Sequence, residues 1–226
     1  MREWASGVAR TGLRGLASGL GQMPIQVLVR DLERQGVEIG RLRALEVFGS
    51  TGDRVTRHYA ERVATLDVWE IDGRLEPALR RNLPRARIAI VDSFEEVRRT
   101  DRRYDLVVVD NPVWPVEHFP LFPHLFRLLS DDAVLVMDVI PSADAFTTRR
   151  YPELFDAEHL ENRRAFYGTD HPEDIPLARL ARHYGEMAAE EGYAVGWQRR
   201  VRRREIERGL PRPVTIHMLA LGMWRR

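Results

Sequence analysis

Neither cysteine nor lysine occurs in the 226 residues. The first absence removes disulfides, thiol nucleophiles, thiolate metal sites and iron–sulfur clusters. The second makes all 35 basic side chains arginine, so no Schiff base can form on a lysine. An excess of one charge is also missing: 35 basic residues face 34 acidic ones, and a net charge of +1 gives no global field to recruit nucleic acid or an anionic membrane. Any basic surface has to be local. No stretch approaches about 20 apolar residues, and residues 1–21 mix Arg, Glu, Ser and Gly without the apolar run of a leader. These absences lead to the expectation of a soluble, cytoplasmic protein without a membrane span. No two histidines share a metal-ligand spacing on a recognisable helix, so no metal is expected.

What is present is enough apolar material, 44% of the residues, for one core with a small cap. The chain is organised around residues 44–53 and 66–72. Residues 44–48 are apolar apart from Glu46, as a parallel strand buried on both faces should be. Gly49 and Gly52 allow a tight turn and close approach of a ligand, and Asp53 is placed to cap a helix carrying Val55, Tyr59 and Val63. The next strand, 66–71, carries Glu70 near its end, 18 positions beyond Gly52 and near the spacing at which an acid reaches a ribose hydroxyl pair. Taken alone, the glycine loop is equally a plain strand-to-helix turn.

Further strands are expected at 86–91, ending in Asp92 and Ser93, at 104–110, ending in Asp110, and at 133–139, with helices between them. Strands at 193–202 and 214–223, joined through 209–213, form a closing hairpin after a helix over 175–191. This alternation predicts an α/β, Rossmann-like doubly wound and mostly parallel seven-stranded sheet with a C-terminal antiparallel hairpin. Residues 1–40 read as an N-terminal helical cap on a domain spanning 41–226. Residues 141–174, too long for an ordinary connection, read as a partly helical lid or an oligomer contact, and a homodimer is possible on that surface or the hairpin. Ligands in such sheets lie beyond the carboxyl ends of the strands, where Gly49, Glu70, Asp92 and Asp110 gather.

The order of elements and the strand-end acids resemble the class I S-adenosylmethionine-dependent methyltransferases over roughly residues 42–224. In that superfamily the first loop runs acid-x-Gly-x-Gly-x-Gly. Glu46-Val-Phe-Gly-Ser-Thr-Gly52 keeps the acid and the last glycine, with Phe48 and Ser50 at the other two positions and Gly49 one place away. The resemblance implies S-adenosyl-L-methionine as cofactor, with Glu46, Gly49, Ser50, Gly52 and Asp53 forming the loop around it. It further implies that Glu70 accepts from the ribose hydroxyls, that Ile71 lies against adenine, and that Asp92 and the Ser93 backbone meet the adenine edge. A carboxylate suits paired hydroxyls because it offers two acceptor oxygens and no donor. Singly, Glu70 or Asp92 could equally cap a helix.

Asp110, Asn111, Pro112 and Trp114 resemble the Asn-Pro-Pro-aromatic motif of amino-methylating enzymes, with Val113 in place of the second proline. By that resemblance Asn111 and Pro112 hold a planar amine while Trp114 stacks on it; the plain reading is a turn that Pro112 fixes. Residues 69–72, Asp92 and 104–112 are also similar to spermidine synthases, in which the acid matching Asp110 would deprotonate the attacking amine. Asp110 and His118, the latter beside Glu117, are the candidate proton acceptors, and His159 and His171 fall in the expected lid. The basic run 199–204 could track a phosphate backbone. It overlaps an expected edge strand, where charge prevents edge pairing, and Glu205 and Glu207 dilute it.

The reading that gathers these signals is a methyltransferase acting on a small-molecule amine or hydroxyl. Its alternatives are an aminopropyl or aminocarboxypropyl transferase and a non-catalytic S-adenosylmethionine-binding protein. A nicotinamide-dependent dehydrogenase lacks its Gly-x-Gly-x-x-Gly loop here.

Overall fold

The computed structural model describes residues 13–16, 22–109, 117–142, 145–207 and 210–226. In chain order the elements are β1 (Leu13–Leu16), α1 (Pro24–Arg34), β2 (Arg43–Val47), β3 (Thr65–Glu70), α2 (Glu76–Asn82), β4 (Arg87–Ile90), α3 (Ser93–Arg99) and β5 (Tyr104–Val109). They continue with α4 (Phe122–Leu125), β6 (Leu129–Val139), α5 (Ala145–Arg150), α6 (Ala157–Tyr167), α7 (Leu177–Glu190), β7 (Tyr193–Glu207) and β8 (Leu210–Arg225).

All eight strands join one sheet in the order β1-β7-β8-β6-β5-β2-β3-β4. β2 to β6 are mutually parallel, and β8 runs antiparallel between β6 and β7. The seven-stranded sheet expected from sequence is therefore present, and β1 adds an eighth strand parallel to β7 along residues 198–201. That addition corrects one expectation: where β1 pairs with it, the basic segment of β7 is not an edge. The strand order reverses between β2 and β5, which places a crevice at their carboxyl ends.

Side chains alternate across the central strands, and both faces are covered. Leu45, Val47, Val107, Val109, Leu135 and Met137 join one apolar layer with Leu180, Ala181 and Tyr184 of α7. Ala44, Val68, Leu106, Val108 and Val134 join the other with Ile25, Leu28, Val29 and Leu32 of α1. The spacing of those four α1 residues puts them on one helical face. Within residues 1–40, α1 thus lies against the sheet and β1 extends it. No helix among the described residues is long and apolar enough to cross a membrane.

Two local expectations are corrected. Residues 53–63 form no α-helix; turns carry the chain past Gly52, with a single 3-10 turn at Thr56–His58. Tertiary packing overrides the helical spacing there: Val55, Tyr59 and Val63 are buried, and the Tyr59 hydroxyl donates to Glu46. Asp53 caps no helix and instead accepts from the Thr51 hydroxyl. The hairpin also runs further than expected, since Pro211 and Pro213 sit inside β8 opposite Ile206 and Arg204. β6 pairs β8 only from His217 to Trp224, so in their part of the strand the prolines face no second ladder that would need their missing N–H.

Residues 141–174 leave the sheet through a narrow stem. Ser142 bridges Asp174, and Ile175 N–H donates to the Pro141 carbonyl at 2.6 Å. Tyr151, Leu154 and Ile140 pack with Ile216 of β8, which fixes the insertion against the sheet end.

Candidate active site at the carboxyl ends of the strands

The tips of β2, β3 and β4 are tied to one another by backbone. Gly49 N–H donates to the Trp69 carbonyl at 2.9 Å, and Val91 N–H donates to the Glu70 carbonyl at 2.8 Å. Glu70 is buried, at 8% exposure, and its carboxylate is held at both oxygens: Oε2 accepts from Ser50 N–H at 2.6 Å and Oε1 from Asp72 N–H at 2.9 Å. Each oxygen keeps a lone pair for a further donor. Immediately after it, Ile71 is 67% exposed, against 36% for Ile90, the next most exposed large hydrophobic residue among the described ones. An apolar side chain left in water beside a fixed acid offers a ledge for a flat apolar ring.

From the end of β2 to Gly52 the backbone is left-handed at all three glycine positions of the motif, of which only the last is a glycine. Phe48 and Ser50, at the two substituted motif positions, have φ 66° and 49°, and Gly52 has φ 71°. Non-glycine residues in this region cost of order 1–3 kcal/mol each and persist only where the surroundings enforce them. Gly49 does not take over a left-handed position. Packing requires Gly49, where a Cβ would lie 2.2 Å from Val68 Cγ1, and adds to the left-handed φ at Gly52, where a Cβ would lie 2.6 Å from Leu83 Cδ1.

Asp92 stands at the tip of β4 and caps α3, its Oδ1 accepting from Phe94 N–H at 2.8 Å, with Ser93 buried beside it. Phe94 then reaches across the tips. Its ring lies 6.1 Å from Phe48 and 5.8 Å from His118, and Phe48 and His118 are 4.3 Å apart. Sequence reasoning named His118 but not its packing with Phe48 and Phe94, because all three residues lie beyond the observed strand ends, where alternation gives no signal. Burial pushes the His118 imidazole down to about 4, with the His159 charge adding to the effect and Glu117 opposing it. The ring is therefore neutral at pH 7, and its Nε2 is buried without a hydrogen-bond partner among the described residues. It can accept a hydrogen bond but holds a proton poorly.

Glu117 does not serve His118. It is buried in a network with the insertion, where Oε2 accepts from Arg163 and lies 3.3 Å from His159 Nε2, and Oε1 accepts from the Tyr167 hydroxyl at 2.8 Å. Arg163, 1% exposed, also donates to the Pro172 carbonyl at 2.6 Å and the Ile140 carbonyl at 2.8 Å. The Tyr167 hydroxyl lies 3.0 Å from that of Tyr184, and burial followed by the Glu117 charge pushes both phenols up. His159 is thus part of an anchor, whereas His171 is exposed, 3.5 Å from Glu173. Glu46, also buried, faces Tyr59 beneath the loop. Asp110, Asn111, Pro112 and Trp114 lie outside the described residues.

The structure brings Glu70, Ile71, Ser50, Asp92, Ser93 and His118 to one end of the sheet. A fixed acid with spare lone pairs, an exposed apolar ledge and a capped helix start suit an adenosine. The sheet order, the parallel core and the antiparallel hairpin are those of the class I S-adenosylmethionine-dependent methyltransferase fold, and this chain has that fold.

No protein-family model matches the chain. Similar solved structures include the N-methyltransferase NodS of Bradyrhizobium japonicum, with TM-score 0.52, 16% identity, and 87% of this chain and 94% of that one covered. The magnesium protoporphyrin IX methyltransferase ChlM of Synechocystis, solved with S-adenosylhomocysteine, gives TM-score 0.54 at 12% identity over 88% and 81%. TYW2 of M. jannaschii, solved with S-adenosylmethionine, gives 0.51 at 12% over 92% and 79%. A curated relative, the polyamine aminopropyltransferase of Methanocaldococcus jannaschii, is 26% identical over 102 residues, 39% of this chain. The match spans 34% of that relative's length.

Proposed function

We propose that the chain binds S-adenosylmethionine at the carboxyl ends of β2 to β5 and transfers its methyl group to a small-molecule amine or hydroxyl. The observation that carries this reading is the Glu70–Ile71 pair, a carboxylate fixed by two backbone amides followed by an apolar side chain left 67% exposed. Glu70 accepts from the ribose hydroxyls with its remaining lone pairs, and Ile71 covers one face of adenine. Asp92 and the Ser93 backbone meet the edge of the base. Glu46 and Tyr59 support the turn through Gly49, Ser50, Gly52 and Asp53 from below. When bound, S-adenosylmethionine supplies a methyl group on a cationic sulfur, which needs little more than an in-line nucleophile. Asn111, Pro112 and Trp114 hold the acceptor, Asp110 takes its proton where one must leave, and neutral His118 offers Nε2 to orient a donor.

A second reading, aminopropyl transfer, is favoured by the 26% identity to the aminopropyltransferase over 102 residues. In it Asp110 deprotonates the attacking amine. Chromatography of the nucleosides formed from S-adenosylmethionine, or from its decarboxylated form, with a panel of small amines and alcohols separates the two. S-adenosylhomocysteine is the expected product. Methylthioadenosine would move the assignment to the second reading, and release of neither product would overturn both.

A further inference from the structure

The opposite end of the sheet carries a concave basic surface that methyl transfer does not use. Where β2, β3, β4 and β5 begin, a cavity of ≈ 730 Å³ opens, and an adjoining hollow of ≈ 340 Å³ shares Ala60 and Arg85 with it. Their walls hold seven arginines against three acids, in a chain whose total is 35 against 34. The acid at the centre, Asp67, is already committed: it accepts from the Tyr104 hydroxyl at 2.7 Å, from Arg102 at 3.2 Å, and from Arg87. One carboxylate therefore faces two guanidiniums. Arg57, Arg81, Arg85 and Arg103 have no carboxylate partner among the described residues. Among the described residues, Arg103 donates to the Leu129 carbonyl, at 3.0 Å. The remaining acids of the walls, Glu61 and Asp101, are exposed, and two carboxylates do not offset four guanidiniums that have no carboxylate partner among the described residues.

We propose that this double hollow binds a compact polyphosphate-bearing small molecule of the nucleoside triphosphate class. A guanidinium presents paired donors that match two phosphate oxygens, and several of them around a concave wall can share one multiply charged group. The volume lies in the range of small-ligand sites. A long nucleic acid would need a positive track that extends beyond the hollows, whereas these arginines are gathered on their walls. The site is separate from the crevice: Thr65 and Glu70 stand at opposite ends of β3, roughly 15–20 Å apart at about 3.3 Å per residue. It stands whether or not the methyl-transfer reading holds.

The test is calorimetric titration of the full chain with inorganic tripolyphosphate at low salt, alongside Arg85→Gln and the double variant Arg85→Gln/Arg103→Gln. Both arginines are exposed, so neither substitution threatens the fold. Saturable one-to-one binding is expected, at least about tenfold weaker in the double variant because charge-assisted hydrogen bonds are lost. Orthophosphate should bind far more weakly. In a second arm, a labelled single-stranded RNA that tripolyphosphate displaces supports a phosphate site. RNA binding that tripolyphosphate cannot displace, wild-type affinity in the double variant, or no heat with tripolyphosphate would overturn the proposal.

Discussion

His118 and His217 sit in protein rather than water, and burial pushes both imidazoles down to about 4 from an ordinary 6.5. Arg200 and Arg202 add to the effect at His217, and burial lowers His183 as well. The folded chain therefore refuses protons that the unfolded chain binds. Stability is complete above the unfolded value, falls as pH drops below about 6.5, and stops falling on this account near 4. The unfolding temperature should be lower at pH 4.5 than at pH 7.5, and an unchanged midpoint would contradict the burial of these rings. Single residues also mark how far the sequence could be read. Glu70 and Ile71 were legible because an acid and an apolar residue close a strand pattern. Phe48 and Ser50 were not: only the backbone shows that they hold left-handed conformations in place of glycine. Asp92 keeps both readings, since its side chain caps α3 while standing at the β4 tip.

At the scale of elements, the buried guanidinium of Arg163 adds to the stem and the apolar contacts that hold the insertion. Arg163 ties α6 to Glu117 just beyond β5 and to the Ile140 carbonyl just beyond β6. Replacing it by methionine leaves a buried carboxylate without its counter-charge, a loss of about 3–5 kcal/mol in systems of this kind. Denaturant unfolding of Arg163→Met should show that loss, and adding Glu117→Gln should recover a large part of it. Equal stability of the single variant and the wild type would remove the network from the account. No spacing rule pairs residues 46 positions apart, so the sequence showed Glu117 only as the neighbour of His118. For the same reason the apolar positions after Gly52 suggested a helix, while contact with the sheet holds them in turns.

For the whole molecule, the mostly parallel, doubly wound sheet was legible because long apolar runs punctuated by acids repeat at βα spacing, and right-handed crossovers leave few ways to assemble them. β1 was not, since four residues in a glycine-rich segment carry no alternation and gain their place from β7. The assembled sheet has two chemically different ends, acids and aromatic rings at the carboxyl tips and arginines at the amino tips. The claim on which the functional reading rests concerns the first end, that it holds adenosine through Glu70. Calorimetric titration of S-adenosylhomocysteine into the wild type and Glu70→Ala tests it most directly, with circular dichroism confirming that the variant is folded. The wild type should bind one equivalent, and the variant should lose about 1–3 kcal/mol of binding free energy with the charged acceptor. Undiminished affinity in a folded Glu70→Ala chain, or no binding by the wild type, would contradict it.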